Sequence, residues 1–151
     1  MENPHGIRMI DVGGKPVTLR TARATACVRA RPETIDRIRH GGLEKGDAIA
    51  TARLAGIMAA KRTSDILPLC HPLPLDAVEV SLSFPAPDRL LVETTVRATA
   101  RTGVEMEALT AAAAAALTVY DMCKSIDRDM TIETVRLEAK AGGSRGDYSR
   151  S

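Results

Sequence analysis

Asp121 and Lys124 stand three positions apart, a spacing that puts a carboxylate and an ammonium on one face of a helix. A surface ion pair is the plainer account of such a pair. A carboxylate beside an ammonium also tunes its partner's proton affinity, as acid–base chemistry requires. Further along the same candidate helix, toward its start, the run Thr102-Gly103-Val104-Glu105-Met106-Glu107 carries two more carboxylates. Acidic groups in a first turn are ordinary partners of the helix dipole. Glu105 and Glu107 are two positions apart and point to different sides, so at most one faces a given pocket.

Two further clusters invite chemistry. Cys70-His71 lies inside Leu67–Leu75 (LPLCHPLPL), where three prolines exclude helix, and Leu67, His71 and Leu73 each precede a proline and are held extended. The segment is either a rigid connection with a structural histidine or a pre-ordered site, since an extended pre-proline His loses little entropy on meeting a ligand. Gly41-Gly42-Leu43-Glu44-Lys45-Gly46-Asp47 lacks P-loop spacing, and no Ser or Thr follows Lys45. It is either a simple helix connection or an ammonium placed ahead of a helix start, where backbone donors also favour an anion. A metal is not expected: adjacent Cys and His rarely ligate one ion well, and no other Cys or His spacing completes a set. Cys27, Cys70 and Cys123 form no Cys-x-x-Cys pair and are odd in number, which argues for a reducing compartment.

The elements that must position these groups follow from patterning. Residues about 1–22 read as irregular, broken by Pro4, Gly6, Gly13, Gly14 and Pro16. Ala24–Ala30 reads as a strand, and Pro32 suits the first turn of a short helix to Arg39. Asp47 opens a helix from Ala48 to about Thr63 with a small-residue face. Ala77–Phe84 and Arg89–Ala100 alternate as a β-hairpin around a Pro-x-Pro-Asp turn. Val104–Ser125 is a long helix with six consecutive alanines, Ala111–Ala116, which suits close contact with a neighbour. Thr131–Ala139 is a last strand before a Gly-rich tail at about 141–151. The order predicts one domain over 1–151, an α+β, ferredoxin-like antiparallel sheet with helices packed on one face. Glu107 and Asp121 are fourteen positions apart on one helix, roughly 21 Å at 1.5 Å per residue. A nucleotide-sized pocket would not use both from one chain, so a site using both clusters is shared between subunits.

Composition narrows the function. No Trp, two Tyr and one Phe leave little on which nucleic-acid bases could stack, and a net charge of +2 demands no nucleic-acid partner. No apolar run approaches membrane-spanning length and the N-terminus lacks a signal-peptide core, so a soluble cytoplasmic protein is expected, with no membrane partner.

Four long stretches, taken in order, resemble the cyclic pyranopterin monophosphate synthase family. They are Lys45–Asp47 through Ala52–Ile57 and Ala60–Thr63, then Pro68–Leu73, Thr102–Thr110 and Tyr120–Lys124. Asp11-Val12 and the Gly142-Gly143 to Gly146-Asp147 ending fit as well. The resemblance implies a ferredoxin-like fold assembled as a homohexamer, a trimer of dimers with active sites at the dimer interface. It implies catalytic roles for Asp121 and Lys124, with Lys45 a second essential lysine. Leu69, Cys70, His71, Met106 and Glu107 would line the substrate pocket, with Glu105, Lys61, Arg20 and Lys15 near it. Ala100-Arg101 stands where a Gly-Lys is the family's pattern, which puts a lysine role there in doubt.

The reaction so implied is that of a lyase. It converts (8S)-3′,8-cyclo-7,8-dihydroguanosine 5′-triphosphate to cyclic pyranopterin monophosphate and diphosphate, a step of molybdenum-cofactor synthesis. Asp121 and Lys124 would move protons, Lys45 would supply a cation or acid, and Arg20 and Lys61 would hold phosphate oxygens. No cofactor is required by this chemistry, though magnesium can arrive with the triphosphate. The rival expectation is a non-catalytic nucleotide-binding regulatory module, because ferredoxin-like folds also serve as sensors.

Overall fold

The computed structural model describes residues 3–151. Its elements run β1 (Thr18–Arg29), α1 (Pro32–His40), α2 (Ala48–Lys61), the single turn α3 (Thr63–Ile66), β2 (Ala77–Ala86), β3 (Arg89–Ala100), α4 (Glu105–Cys123), β4 (Thr131–Ala141) and β5 (Tyr148–Ser149). The strands form one sheet in the order β2-β3-β1-β4-β5, every neighbouring pair antiparallel. This is the expected α+β arrangement, and the placing of β1 and β3 at the centre is compatible with a ferredoxin-like layout.

Strand alternation decides which face the helices cover. Ala22, Ala24, Ala26 and Val28 of β1 and Leu90, Val92, Thr94, Val96 and Ala98 of β3 point one way and are buried. The opposite face carries ion pairs instead, among them Arg23–Glu93, Arg97–Glu79 and Arg29–Glu133. One apolar and one charged face is how an antiparallel sheet with helices on a single side reads in sequence.

The alanine run does what its small side chains allow. Ala108, Ala111, Ala112, Ala115 and Ala116 are fully buried, bringing α4 against β1, β3 and α2. Gly56 of α2 leaves no room for a side chain between α4 and β2: a Cβ there would stand 3.2 Å from the Ala111 carbonyl oxygen and 3.0 Å from Val80 Cγ2. Thr94 Oγ1 donates to the Ala108 carbonyl at 2.7 Å, so the one polar group in that row of β3 is satisfied by the helix start. Asp47 caps α2 by accepting from the Ala50 N–H at 3.1 Å. The cap of α1 is remote: Asp127, buried, accepts from the Arg31 N–H at 2.9 Å and from Thr34 Oγ1 at 3.0 Å.

Several boundaries differ from the expectations. β1 begins at Thr18, inside the segment expected to be irregular to about residue 22, because Thr18–Thr21 pair with the end of β3, Thr18 opposite Ala100. Met1 and Glu2, in the same expected segment, lie outside the described residues. The long middle helix ends at Lys61, and Thr63 opens α3 with its hydroxyl donating to the carbonyls of Ala59 and Ala60. β4 runs to Ala141, and the Gly-rich tail returns as β5, with Tyr148 opposite Lys140.

Candidate active site

A cavity of about 600 Å³ opens where four stretches of chain converge: the N-terminal segment, Leu67–Leu73, the start of α4, and the end of β4 with the following turn. Its walls include Lys15 and Arg20, then Leu69, Cys70 and His71, then Glu105 and Met106. Seven residues expected near a substrate therefore share one pocket. Lys140 and Arg145 join them on the far wall. Sequence reasoning missed both, since Lys140 is one position beyond the expected strand and Arg145 lies in a tail matched to the family only through its glycines and Asp147. Four cationic side chains, Lys15, Arg20, Lys140 and Arg145, face one acidic wall residue, Glu105, whose Oε2 lies 3.9 Å from Lys140 Nζ. The pocket is built for an anion.

Arg20 is held from behind. Its Nη2 donates to the Arg101 carbonyl at 3.1 Å, and its Nε is buried without a partner. Arg101 thus meets the site through its backbone, so the exchange of lysine for arginine at that position leaves this contact intact.

Glu107 sits behind the pocket wall, 3 % exposed. Cys70 Sγ donates to its Oε2 at 3.8 Å, while Oε1 is buried with no partner. Burial pushes the Glu107 carboxyl above its ordinary range, and nearby Glu105 adds to the effect against the lowering by its backbone and Cys70 hydrogen bonds. Burial and the Glu107 charge likewise raise the Cys70 thiol, which is therefore a poor nucleophile near neutrality.

The other cluster lies at the opposite end of α4. Asp121 Oδ2 accepts from Lys45 Nζ at 2.9 Å, and its Oδ1 accepts from Lys124 Nζ at 2.9 Å. Lys45 comes from the loop before α2 and reaches the end of α4 because those helices pack along their lengths. All three side chains are about half exposed, at 52 % for Lys45 and Asp121 and 58 % for Lys124. Hydrogen bonds from Lys45 and then Lys124, with their charges, hold the Asp121 carboxyl down at about 2. The same pairing raises Lys124 above its ordinary value. In this arrangement Asp121 is a weak proton acceptor and an effective clamp for two ammonium groups.

Lys61 falls in neither cluster. It borders a smaller groove of about 410 Å³ with Ile57, Asp76 and Leu73, and Leu73 also lines the larger pocket. Among the described residues no group of three or more His, Cys, Asp or Glu is arranged to hold a metal ion. No helix among them is long and apolar enough to cross a membrane.

The chain is 59 % identical over 143 residues to cyclic pyranopterin monophosphate synthase 3 of Mycobacterium tuberculosis, covering 95 % of this chain and 81 % of that protein. It is 58 % identical over 141 residues to the cyclic pyranopterin monophosphate synthase of Herpetosiphon aurantiacus, covering 93 % and 86 %. The protein of that name from Brevibacillus brevis is 51 % identical over 143 residues, covering 95 % and 89 %. The model of the MoaC family matches residues 9–143, and with these relatives it identifies the chain as a member of the MoaC family.

Proposed function

We propose that this chain is a lyase that converts (8S)-3′,8-cyclo-7,8-dihydroguanosine 5′-triphosphate to cyclic pyranopterin monophosphate and diphosphate in molybdenum-cofactor synthesis. One observation carries the reading beyond the relatives' names. The two chemical parts such a reaction needs lie at opposite ends of one helix: an anion-binding pocket at the start of α4 and the Lys45–Asp121–Lys124 cluster at its end.

The separation favours a site shared by two copies. Met106, Thr110, Ala113, Leu117, Asp121 and Lys124 recur at spacings of three and four and form one face of α4. Leu117 is 58 % exposed on it, and Met106 is also exposed. Ala113 and Ala114 stand midway between Met106 and Asp121 and are small enough for close helix approach. Two copies of α4 packed antiparallel about that midpoint would bring each pocket to the other's cluster, a self-complementary two-fold interface. Three such dimers would form the homohexamer of this proposal, a soluble cytoplasmic enzyme.

Within a shared site the roles follow from charge. Lys15 and Arg20 hold phosphate oxygens, and His71, Leu69 and Met106 bound the heterocycle, with Glu107 fixing Cys70 from behind; Lys61, on the neighbouring groove, is left without a role in the site. Asp121, kept ionised, aligns Lys45 and Lys124. Lys124 gives and takes protons once substrate draws it from Asp121, and Lys45 supplies the second cation or acid where the cyclic phosphate closes. Magnesium enters this reading only as a counter-ion of the triphosphate.

The test is to supply purified chain with the cyclised dihydro-GTP and measure pyrophosphate and pterin together. Both products in equal amounts support the lyase. Tight binding with no product would support the non-catalytic nucleotide-binding module instead.

A further inference from the structure

The turn after β4 makes an unusual contact with the pocket. Gly142 and Gly143 both adopt positive φ, +99° and +85°, and the Gly142 N–H donates to Asp147 Oδ1 at 3.2 Å. A Cβ on Gly142 would overlap the Leu19 carbonyl oxygen, a backbone atom of β1. At Gly143 the obstacle is different. A Cβ there would overlap Arg20 Nη1 and stand 2.8 Å from Cζ, and no backbone atom is among its nearest neighbours. The guanidinium occupies the space that any side chain at 143 would take.

We propose that Gly143 is a positioning residue that seats the Arg20 guanidinium over the pocket for an anionic ligand of the polyphosphate class. Two contacts and one unpartnered donor define the seat. The Arg101 carbonyl takes Nη2, the bare Gly143 backbone lies against Nη1, and Nε is left buried and unpartnered. With Nε shut away from the cavity, the part of the Arg20 side chain that lines it is what meets a phosphate oxygen, by a charge-assisted bond. A methyl at 143 meets the far end of a flexible side chain rather than backbone, so the guanidinium shifts; the positive φ adds backbone strain of its own, which Gly143→Asn lessens. A binding group held by its supports loses affinity when they move it by an ångström.

This proposal rests on the reading that the pocket takes the triphosphate end of a nucleotide, and the experiment separates the two. Calorimetric titration with inorganic tripolyphosphate is made on the wild type, Gly143→Ala, Arg20→Ala and the double variant. Each single substitution is expected to weaken binding about tenfold, the scale of one hydrogen bond to a charged group. The double variant is expected to bind no more weakly than Arg20→Ala alone, because the methyl then has nothing to displace. Gly143→Asn carries the same Cβ with a residue more tolerant of positive φ, so it must give the same result if Gly143→Ala folds poorly. With the cyclised nucleotide, KM rises in Gly143→Ala while kcat is kept.

Wild-type affinity in both Gly143 variants, or a full additional loss in the double variant, overturns the positioning role while leaving the lyase reading intact. So does tripolyphosphate binding indifferent to Arg20→Ala. The expected cycle with a wild type that never turns over the nucleotide overturns the lyase reading and leaves the role of Gly143 standing.

Discussion

Lys45 Nζ and Asp121 Oδ2 are 2.9 Å apart although 76 positions separate them in the chain. The contact joins the loop before α2 to the last turn of α4 and makes one charged cluster of two motifs that look unrelated in sequence. Removing either lysine therefore tests chemistry more than folding. Lys124→Ala and Lys45→Ala are each expected to lower turnover at least about a hundredfold, the lower range for loss of a positioned acid–base group. Half-exposed ion pairs contribute little to stability, so thermal melting should move little. Pyrophosphate release and a melting curve on the same preparations check both halves, and full activity in either variant would remove that lysine from the mechanism.

Asp121 is held near a pKa of about 2 by its two ammonium partners. Its folded value lies below the ordinary aspartate value, so the stability it contributes is present above that ordinary value and is lost as pH falls through about 2. It should stay ionised across the working range, and an acid limb in the rate profile above that range must belong to another group. Carbon NMR of the Asp121 carboxyl should show no titration near neutrality, and Lys45→Met should move its midpoint upward. A midpoint already at the ordinary value would mean that the clamp does not hold in solution.

Glu107 shifts the other way. Its folded carboxyl titrates above the ordinary value, so its contribution is fully present below that value and is lost as pH rises through the folded one. Glu107→Gln, which carries no charge at any pH, should therefore melt at increasingly higher temperature than the wild type as pH is raised. The gap should level off once Glu107 is ionised. Melting curves from acid to mildly alkaline pH decide it, and parallel profiles would show that the carboxyl has no raised folded value.

A site split across two copies makes a mixing prediction. Lys124→Ala damages the end of α4, and His71→Ala damages the pocket. A mixed dimer retains one intact site built from the undamaged half of each copy. Unfolding and refolding the two inactive variants together should restore up to about a quarter of wild-type turnover, given random pairing. No recovery in confirmed mixed oligomers would place each complete site within a single chain.

Much of the fold was legible because its signals are local. Alternation in Ala77–Phe84 and Arg89–Ala100 gave the hairpin, and the helix over Ala111–Ala116 followed from propensity and period. Leu67, ahead of Pro68, is extended as its covalent chemistry predicts, with φ −102° and ψ 108°, whereas the turn that follows, closed by the Cys70 N–H donating to the Leu67 carbonyl at 3.2 Å, carried no such signal. The start of β1 carried no local signal: Thr18–Thr21 are held by pairing with β3, the row that continues Ala22, Ala24 and Ala26 is Thr18 and Arg20, and the one apolar residue, Leu19, is exposed. The tail strand β5 escaped for the same reason: two residues become a strand only when Lys140 and Ala139 stand beside them.

The sequence by itself determined the element types, the apolar and charged faces of the sheet, and which motifs carry chemistry, since these depend on neighbours within a few positions. The helical rise alone also set the pocket end of α4 apart from Asp121. Tertiary structure decided the partnerships: Lys45 with Asp121, Glu107 behind Cys70, and Arg20 between the Arg101 carbonyl and Gly143. Each joins residues distant in the chain, and only the close packing of alanine-rich helices on a twisted sheet brings such residues within hydrogen-bonding reach.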